Sequence, residues 1–439
     1  VKVVSGVKDC QIIYKTKSVC PVCLKKIPAE RVLAGKEVFL RKSCDEHGSF
    51  ASIIWRGFYQ IDKWIPESDN ISVENALCPD KCGLCPDHLQ KTCCVLLDIT
   101  GRCNLNCSFC LANQCNGDND PSFEEICSSL SEIIDKGKSL VQLSGGEPTT
   151  RDALPDIIRY AKDAGAKYVQ LNSNGVRLGT EPDYVEKLAL AGLSFVFMQF
   201  DGTDDRIYRK LRNRPLLEIK KQAIENCAKF NMGVTLVPTM VRGVNMDNIG
   251  EIIKFALSQS PRVRGLHFQP VSYLGRIPGL PDDRDRITLD ELVYEIEKQS
   301  DGMIKAADLL PSCCDHALCG FHGDFVAYRD RLVPLSSRSA TADTCCCSKN
   351  AAEKNREFVA RRWQRPDPSL YNPESESGDL KNMEYFLERV KTHGFTVTSM
   401  AFQDAGTIDF SRLRKCSFHV YDKGKLSPFC AHYLTAWPQ

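Results

Sequence analysis

No run of apolar residues in this chain is long enough to cross a bilayer. The longest, Leu188 to Phe200, is interrupted by Gly192, Ser194 and Gln199, and a membrane helix needs about 20 apolar residues. It reads as a helix end followed by a buried strand. An excess of either charge is also missing: 57 Lys and Arg against 56 Asp and Glu leave a formal net charge of +1. Without a basic surplus there is no electrostatic case for nucleic acid, and Lys220-Lys221 and Arg361-Arg362 read as solvated surface pairs. No internal repeat or heptad is present, which removes solenoids and coiled coils. The 439 residues allow two or three domains.

Cysteine, by contrast, is abundant, with 23 residues. Disulfide-dense scaffolds are small and secreted, whereas this chain is large and its cysteines fall at cluster spacings. They read as metal ligands in a reducing, oxygen-poor cytoplasm. The most informative group is Cys103, Cys107 and Cys110, at C-x3-C-x2-C spacing. A [4Fe–4S] cube normally takes four cysteines, so a loop offering three leaves one iron open. The alternative is a zinc site. The loop follows an apolar strand, Val95–Ile99, and one β–α unit later comes Ser144-Gly145-Gly146-Glu147. Paired glycines suit a turn in which the chain must approach a ligand closely or take positive φ.

These residues resemble the radical S-adenosylmethionine (SAM) superfamily. The resemblance implies that SAM chelates the open iron and is cleaved reductively to a 5′-deoxyadenosyl radical. It further implies that Gly145, Gly146 and Glu147 meet the methionyl amine and that Asn172 or Asn174 meets the ribose. Phe109 either packs near the adenine or simply fills the core. Gln199 and Asp201, after the fourth strand, and Arg242, after the fifth, are either SAM or substrate contacts or loop-capping groups, since Asp, Asn and Ser often bond to local backbone.

Between Cys94 and Ser272, strand-like and helix-like stretches alternate. Strands are expected at 95–99, 140–143, 168–171, 195–200, 234–238 and 265–269. Helices are expected at 122–134, 152–164, 183–191, 216–230 and 245–259. Such alternation predicts parallel β–α units, here a partial (β/α)6 TIM-like barrel, which is also the fold the resemblance implies. The polar signals sit at the carboxyl ends of the strands, where such sheets bind ligands. The expected organisation is a Cys-rich metal head over residues 1–92, the barrel over 93–275, and a tail over 276–439 carrying an auxiliary cluster.

Three further cysteine sets fall outside the barrel motif. Cys20, Cys23, Cys44 and His47 form a C-x2-C…C-x2-H pattern for one zinc or iron ion, with Cys10 as the alternative to His47. Cys78, Cys82 and Cys85 repeat the C-x3-C-x2-C spacing without a Gly-Gly-Glu partner, which favours a closed auxiliary cluster with Cys93 as fourth ligand. Cys94 then points the other way along its strand, and His88 is a loop group rather than a ligand. In the tail, Cys314, Cys319, Cys416 and Cys430 can close another cluster, with Cys313 competing with Cys314; Cys416 and Cys430 flank a hairpin. The run Cys345-Cys346-Cys347 is a redox pair, a persulfide carrier, an alternative ligand set or plain surface thiols. Cys115, Cys127 and Cys227 read as packing groups.

Over nearly its whole length the chain resembles the branch of the tetraether lipid synthase and related radical-SAM (seleno)proteins. The shared stretches are Ser18–Leu24, Lys42–Gly48, Cys78–His88, Gln199–Gly202, Phe402–Gly406 and Arg412–Cys416 with Pro428–Cys430. That branch implies a mononuclear metal, the SAM cluster and two auxiliary [4Fe–4S] clusters. It implies hydrogen abstraction from an unactivated carbon, such as alkyl-chain coupling, with a flavodoxin- or ferredoxin-type electron donor. The substrate is then a lipid, with the enzyme peripheral to the membrane, or a small molecule or peptide. Two features depart from the branch: no proline follows His316, and the Cys345–Cys347 run is unexpected there. The other readings are thiol or selenol chemistry or peptide modification using Cys345–Cys347, and a non-catalytic electron carrier.

Overall fold

Four antiparallel strands, β1 (Cys10–Val19), β2 (Lys26–Ala34), β3 (Glu37–Cys44) and β4 (Gly48–Trp55), form a separate small sheet at the N-terminal end of the chain. The computed structural model describes residues 10–69, 71, 73, 84, 86–111, 120–134, 140–335, 351–366, 368–370, 380 and 382–437. Cys78, Cys82, Cys85, Cys115, Cys345, Cys346 and Cys347 lie outside them.

The second sheet holds the barrel strands β5 (Cys94–Asp98), β6 (Leu140–Ser144), β7 (Tyr168–Ser173), β8 (Phe195–Gln199) and β9 (Gly233–Val237). The short β10 (Thr239–Met240) and β11 (Val263–Pro270) follow. Strands β5 to β9 and then β11 lie side by side in chain order, all parallel. Sequential parallel neighbours joined by helices curve the sheet towards a barrel, and this α/β partial barrel is the expected fold. The helices cover its outer face with apolar stripes. In Leu154–Asp163 the buried residues are Leu154, Ile157, Ile158 and Ala161, the spacing of one helical face, and each large one contributes roughly 1.5–3 kcal/mol on burial. Within the barrel, two short helices escaped the sequence reading, Val176–Thr180 and Asp205–Arg212. The second is so rich in charge that only Ile207, Tyr208 and Leu211 mark its apolar side.

The tail does not fold as a sheet of its own. Strands β12 (Leu310–Pro311), β13 (Gly320–Tyr328), β14 (Arg331–Pro334) and β15 (Gly394–Met400) extend the barrel beyond β11. Strands β16 (Phe418–Asp422) and β17 (Lys425–Pro428) extend it beyond β5. Pairing of β15 with β11 and of β16 with β5 is parallel. The tail thus covers both edges of the six-stranded core, satisfying backbone groups that an open sheet would leave exposed. β16 and β17 form the hairpin expected between Cys416 and Cys430.

One member of each cation pair taken as solvated is otherwise placed, while Lys221 and Arg361 face solvent as expected. Lys220 is fully buried and donates to the Asn174 carbonyl. Arg362 pairs with the mostly buried Asp324 at 2.6 Å. Both lie on helix faces turned towards the sheet, which a pair of adjacent cations cannot reveal.

Candidate active site and metal centres

Inward-facing residues alternate along each barrel strand, as a period of two requires, and they line one cavity of about 400 Å³. At its outer end sit Cys103, Cys107, Cys110 and the Ser144–Glu147 turn. The cysteine loop is anchored by paired backbone bonds between Cys110 and Arg276 (2.9 and 3.0 Å) and by Ser108 N donating to Leu211 O (3.0 Å). Burial raises the Cys103 thiol to about 11, so it ionises only if a metal compensates. Among the described residues, one His/Cys/Asp/Glu group has its ligand atoms all within 4.8 Å, the head set. The barrel trio is more widely spread, which suits the outer corners of a cube rather than one ion.

The Gly145–Gly146 turn is built by close packing. Gly146 N and Glu147 N donate to Thr100 O and Arg102 O, each at 2.8 Å. A Cβ at Gly145, where φ is +133°, would lie 2.2 Å from Thr100 O, and one at Gly146 2.2 Å from Arg102 O. Glycine is therefore required for the turn to lie against the cysteine loop. Glu147 is buried, and its carboxylate accepts from Thr149 N (3.1 Å), Ser173 Oγ (2.8 Å) and Asn174 N (2.6 Å). It ties the ends of β6 and β7 together as well as bordering the cavity. Asn174 donates to Asn104 of the cysteine loop at 2.7 Å, and Asn172 donates to Gln142 at 3.3 Å. Phe109 borders the cavity and packs edge-on to Tyr273.

Two candidates do not reach the cavity. Asp201 is fully buried and held bidentately by Arg212, at 2.7 Å through both Nε and Nη2. Arg242 turns outward to Glu291 at 2.5 and 2.6 Å. In each case a nearer opposite charge claims the group. Arg212, missed in the sequence, lies on the cavity wall instead and also reaches Thr239 Oγ1 at 3.0 Å. Burial opposes its charge, but Asp201 and the neighbouring Cys107 hold its pKa above the ordinary arginine value. With its amide oriented so that the oxygen faces the guanidinium, Gln199 accepts from Arg212 Nη2 at 3.0 Å. The buried carboxylate at a strand end was the available signal, because such a group needs a cation close by.

In the head, Cys20, Cys23, Cys44 and His47 converge, with Cys23 Sγ–Cys44 Sγ at 4.0 Å. His47 Nδ1 lies 3.5 Å from Cys44 Sγ and 3.7 Å from Cys20 Sγ. Tetrahedral bonds of about 2.3 Å to sulfur and 2.0–2.1 Å to nitrogen match such separations. Cys10 is exposed and lies by Arg41 instead, so His47 completes the set. Replacing Cys23 with Ser is expected to cut bound metal in this site from one ion per chain towards none, read by metal analysis of the purified protein. Full occupancy in the variant would refute the assignment.

In the tail, the Cys319, Cys416 and Cys430 thiols lie close enough to influence one another, and burial raises all three, Cys430 to about 12. Arg412 Nε donates to Cys319 Sγ at 3.4 Å, and Gln403 N to Cys430 Sγ at 3.2 Å. Cys314 is buried beside Cys93 and Ser417 and, like Cys93, Cys94 and Cys313, borders the cavity. His88 bonds to Cys416 O (2.7 Å) and His419 (3.1 Å), a loop role. Cys127 and Cys227 pack in the core.

Residues 97–256 match the model of the Radical SAM superfamily, and residues 12–56 that of the HMPTM N-terminal zinc ribbon domain. The chain is 40% identical to the 7,8-dihydro-6-hydroxymethylpterin dimethyltransferase of Methanocaldococcus jannaschii, over 95% of its own length and 93% of that protein's. The chain belongs to the radical SAM superfamily. It is similar over shorter stretches to the GTP 3′,8-cyclase of Nautilia profundicola, at 26% identity over 45% of this chain and 62% of that protein. To the probable GTP 3′,8-cyclase of Methanococcus maripaludis it is 33% identical, over 34% of this chain and 49% of that one. It is thus a radical SAM enzyme with an N-terminal zinc ribbon, and the carrier reading falls away. The family implies one [4Fe–4S] cluster and SAM, and the wide cysteine trio beside the glycine turn fits them. No helix among the described residues is long and apolar enough to cross a membrane.

Proposed function

We propose that this radical SAM enzyme methylates a carbon of a reduced pterin. The hydrogen atom of the C–H bond passes to the 5′-deoxyadenosyl group of one SAM, and the methyl group of a second SAM takes its place. Methionine and S-adenosylhomocysteine leave, and the reductant supplies two electrons. The observation that carries the reading is the match to the pterin dimethyltransferase along almost the full length of both chains, zinc ribbon included. When bound, the cluster and SAM supply a 5′-deoxyadenosyl radical able to take a hydrogen atom from an unactivated carbon. The chain's own part is to hold and shield. Cys103, Cys107 and Cys110 hold the cluster, and Ser144, Gly145, Gly146 and Glu147 border the place for the methionyl group. Phe402, Phe429 and Tyr433 from the tail close the cavity wall and keep water away from a reactive centre.

The buried tail thiols favour an auxiliary cluster held by Cys314, Cys319, Cys416 and Cys430. A second, on Cys78, Cys82, Cys85 and Cys93, rests largely on residues outside those described. Reducing equivalents come from a flavodoxin- or ferredoxin-type donor in the cytoplasm. The helix Asp205–Arg212, whose end bonds the cysteine loop, exposes Arg206, Arg209 and Lys210 to an acidic carrier.

Mass spectrometry tests the reading: the reconstituted enzyme is incubated anaerobically with SAM, dithionite and 7,8-dihydro-6-hydroxymethylpterin. A product heavier by one or two methyl groups is expected, with labelled SAM tracing the carbon. Formation of 5′-deoxyadenosine with no change in the pterin would sink it. The second reading is alkyl-chain coupling, as in the tetraether lipid synthase branch. It is favoured by the apolar stack of Phe402, Phe418 and Phe429, with centroids 4.1 and 4.9 Å apart. Thiol, selenol or peptide chemistry at Cys345–Cys347 draws no support from the described residues.

A further inference from the structure

We propose that the inner half of the barrel cavity, centred on His267, is the subsite that reads the polar edge of an uncharged heteroaromatic ring. The inference rests on the pterin reading above and deepens it. TIM-like barrels fill their interiors with layers of branched aliphatic side chains. Here the inward positions of six strands carry Gln142, Asn172, Gln199, His267, His322 and Thr398. Burying such groups is unfavourable unless each finds a partner, and the wall is only partly satisfied from within. Asn172 Oδ1 accepts from Gln170, which does not line the cavity, at 2.7 Å. His267 Nδ1 bonds to Thr398 Oγ1 at 2.8 Å, while no partner for Nε2 is present among the described residues. A ligand with alternating donors and acceptors would satisfy this wall.

Position and charge agree. His267 lies three residues before the end of β11, roughly 10 Å below the strand ends that carry the SAM turn, so both ligands fit along one cavity. Burial keeps the His267 ring neutral, with a pKa of about 3, and lowers that of His322. The cavity's charged groups sit elsewhere. Glu147 and Arg212 are fully engaged, and Asp315 is held by its own neighbours, accepting from Ser417 N at 2.6 Å and from Cys314 Sγ at 3.4 Å. An ionic substrate would find no partner between them. Flat faces are supplied by Phe197 and Trp363, whose rings stand 5.2 Å apart, with Phe197 4.9 Å from His267; offset aromatic contacts of this kind suit a planar ring.

The test is equilibrium binding to the anaerobically reconstituted enzyme, with 7,8-dihydro-6-hydroxymethylpterin and SAM titrated separately. His267→Leu removes both ring nitrogens and is expected to weaken pterin binding about tenfold or more, leaving SAM affinity unchanged. His267→Gln keeps a donor and an acceptor and is expected to recover most of the loss. Wild-type pterin affinity in His267→Leu, or an equal loss of SAM affinity, would overturn the subsite. A wild-type enzyme that cleaves SAM but binds no pterin would overturn the pterin reading itself.

Discussion

Substituting Ala for Cys103 is expected to abolish 5′-deoxyadenosine formation from SAM and dithionite. It should also remove the SAM-induced change in the electron paramagnetic resonance of the reduced cluster. The loop offers three thiolates and no fourth, so losing one leaves the cube with two protein ligands and no defined corner for SAM. The surroundings cannot compensate: Cys93 and Cys94 sit at the start of β5, the strand end opposite the loop that carries Cys103, and Cys314 lies near Cys93. Cys107→Ala and Cys110→Ala should behave alike. Cys227→Ala is the control, because that thiol is buried in the apolar core, remote from the cavity. Wild-type cleavage by Cys103→Ala would end the assignment of this loop.

The second large effect is expected at Arg212. Its ion pair with Asp201 is almost wholly enclosed, with side chains 4% and 0% exposed. Removing one partner of such a pair typically costs about 3–5 kcal/mol, because the other charge stays buried without compensation. Arg212→Leu is therefore expected to lower the melting temperature clearly and to lose iron, since Cys107 and Gln199 pack against the same guanidinium. Combining it with Asp201→Asn should restore part of the stability by removing the orphaned charge, a coupling that a double-mutant cycle measures directly. An unchanged melting temperature in Arg212→Leu would show that the pair carries no structural weight. In that case the packing of Tyr208 and Phe200 would have to hold this strand end by itself.

Much of the fold was legible because the barrel's information is local. Apolar runs at 140–143 and 195–200 and amphipathic stretches such as 152–164 carry their periods within a few residues, so strands and helices fall close to where the pattern places them. The site was legible in part for the same reason, since Cys103, Cys107, Cys110 and Gly145-Gly146 lie in two short segments. What escaped depends on groups far apart in the chain. Asp201 and Arg242 read equally as ligand contacts or as loop caps until Arg212 and Glu291 are seen beside them. Lys220 reads as surface until its helix is laid on the sheet under Asn174. Cys93, grouped by proximity in sequence with Cys78–Cys85, lies on the same cavity as Cys314, from the tail.

The amino-acid order by itself determined that a loop of three thiolates and a paired-glycine turn stand at the mouth of a parallel β–α sheet, because thiolate spacing and hydrophobic period are properties of adjacent residues. Only the tertiary structure decided that the tail completes both edges of that sheet, and that His47 closes the head site. It alone lined the barrel interior with amides and imidazoles. Each of those outcomes depends on strand register and on which opposite charge or hydrogen-bonding group lies nearest in space, and no local pattern encodes that distance.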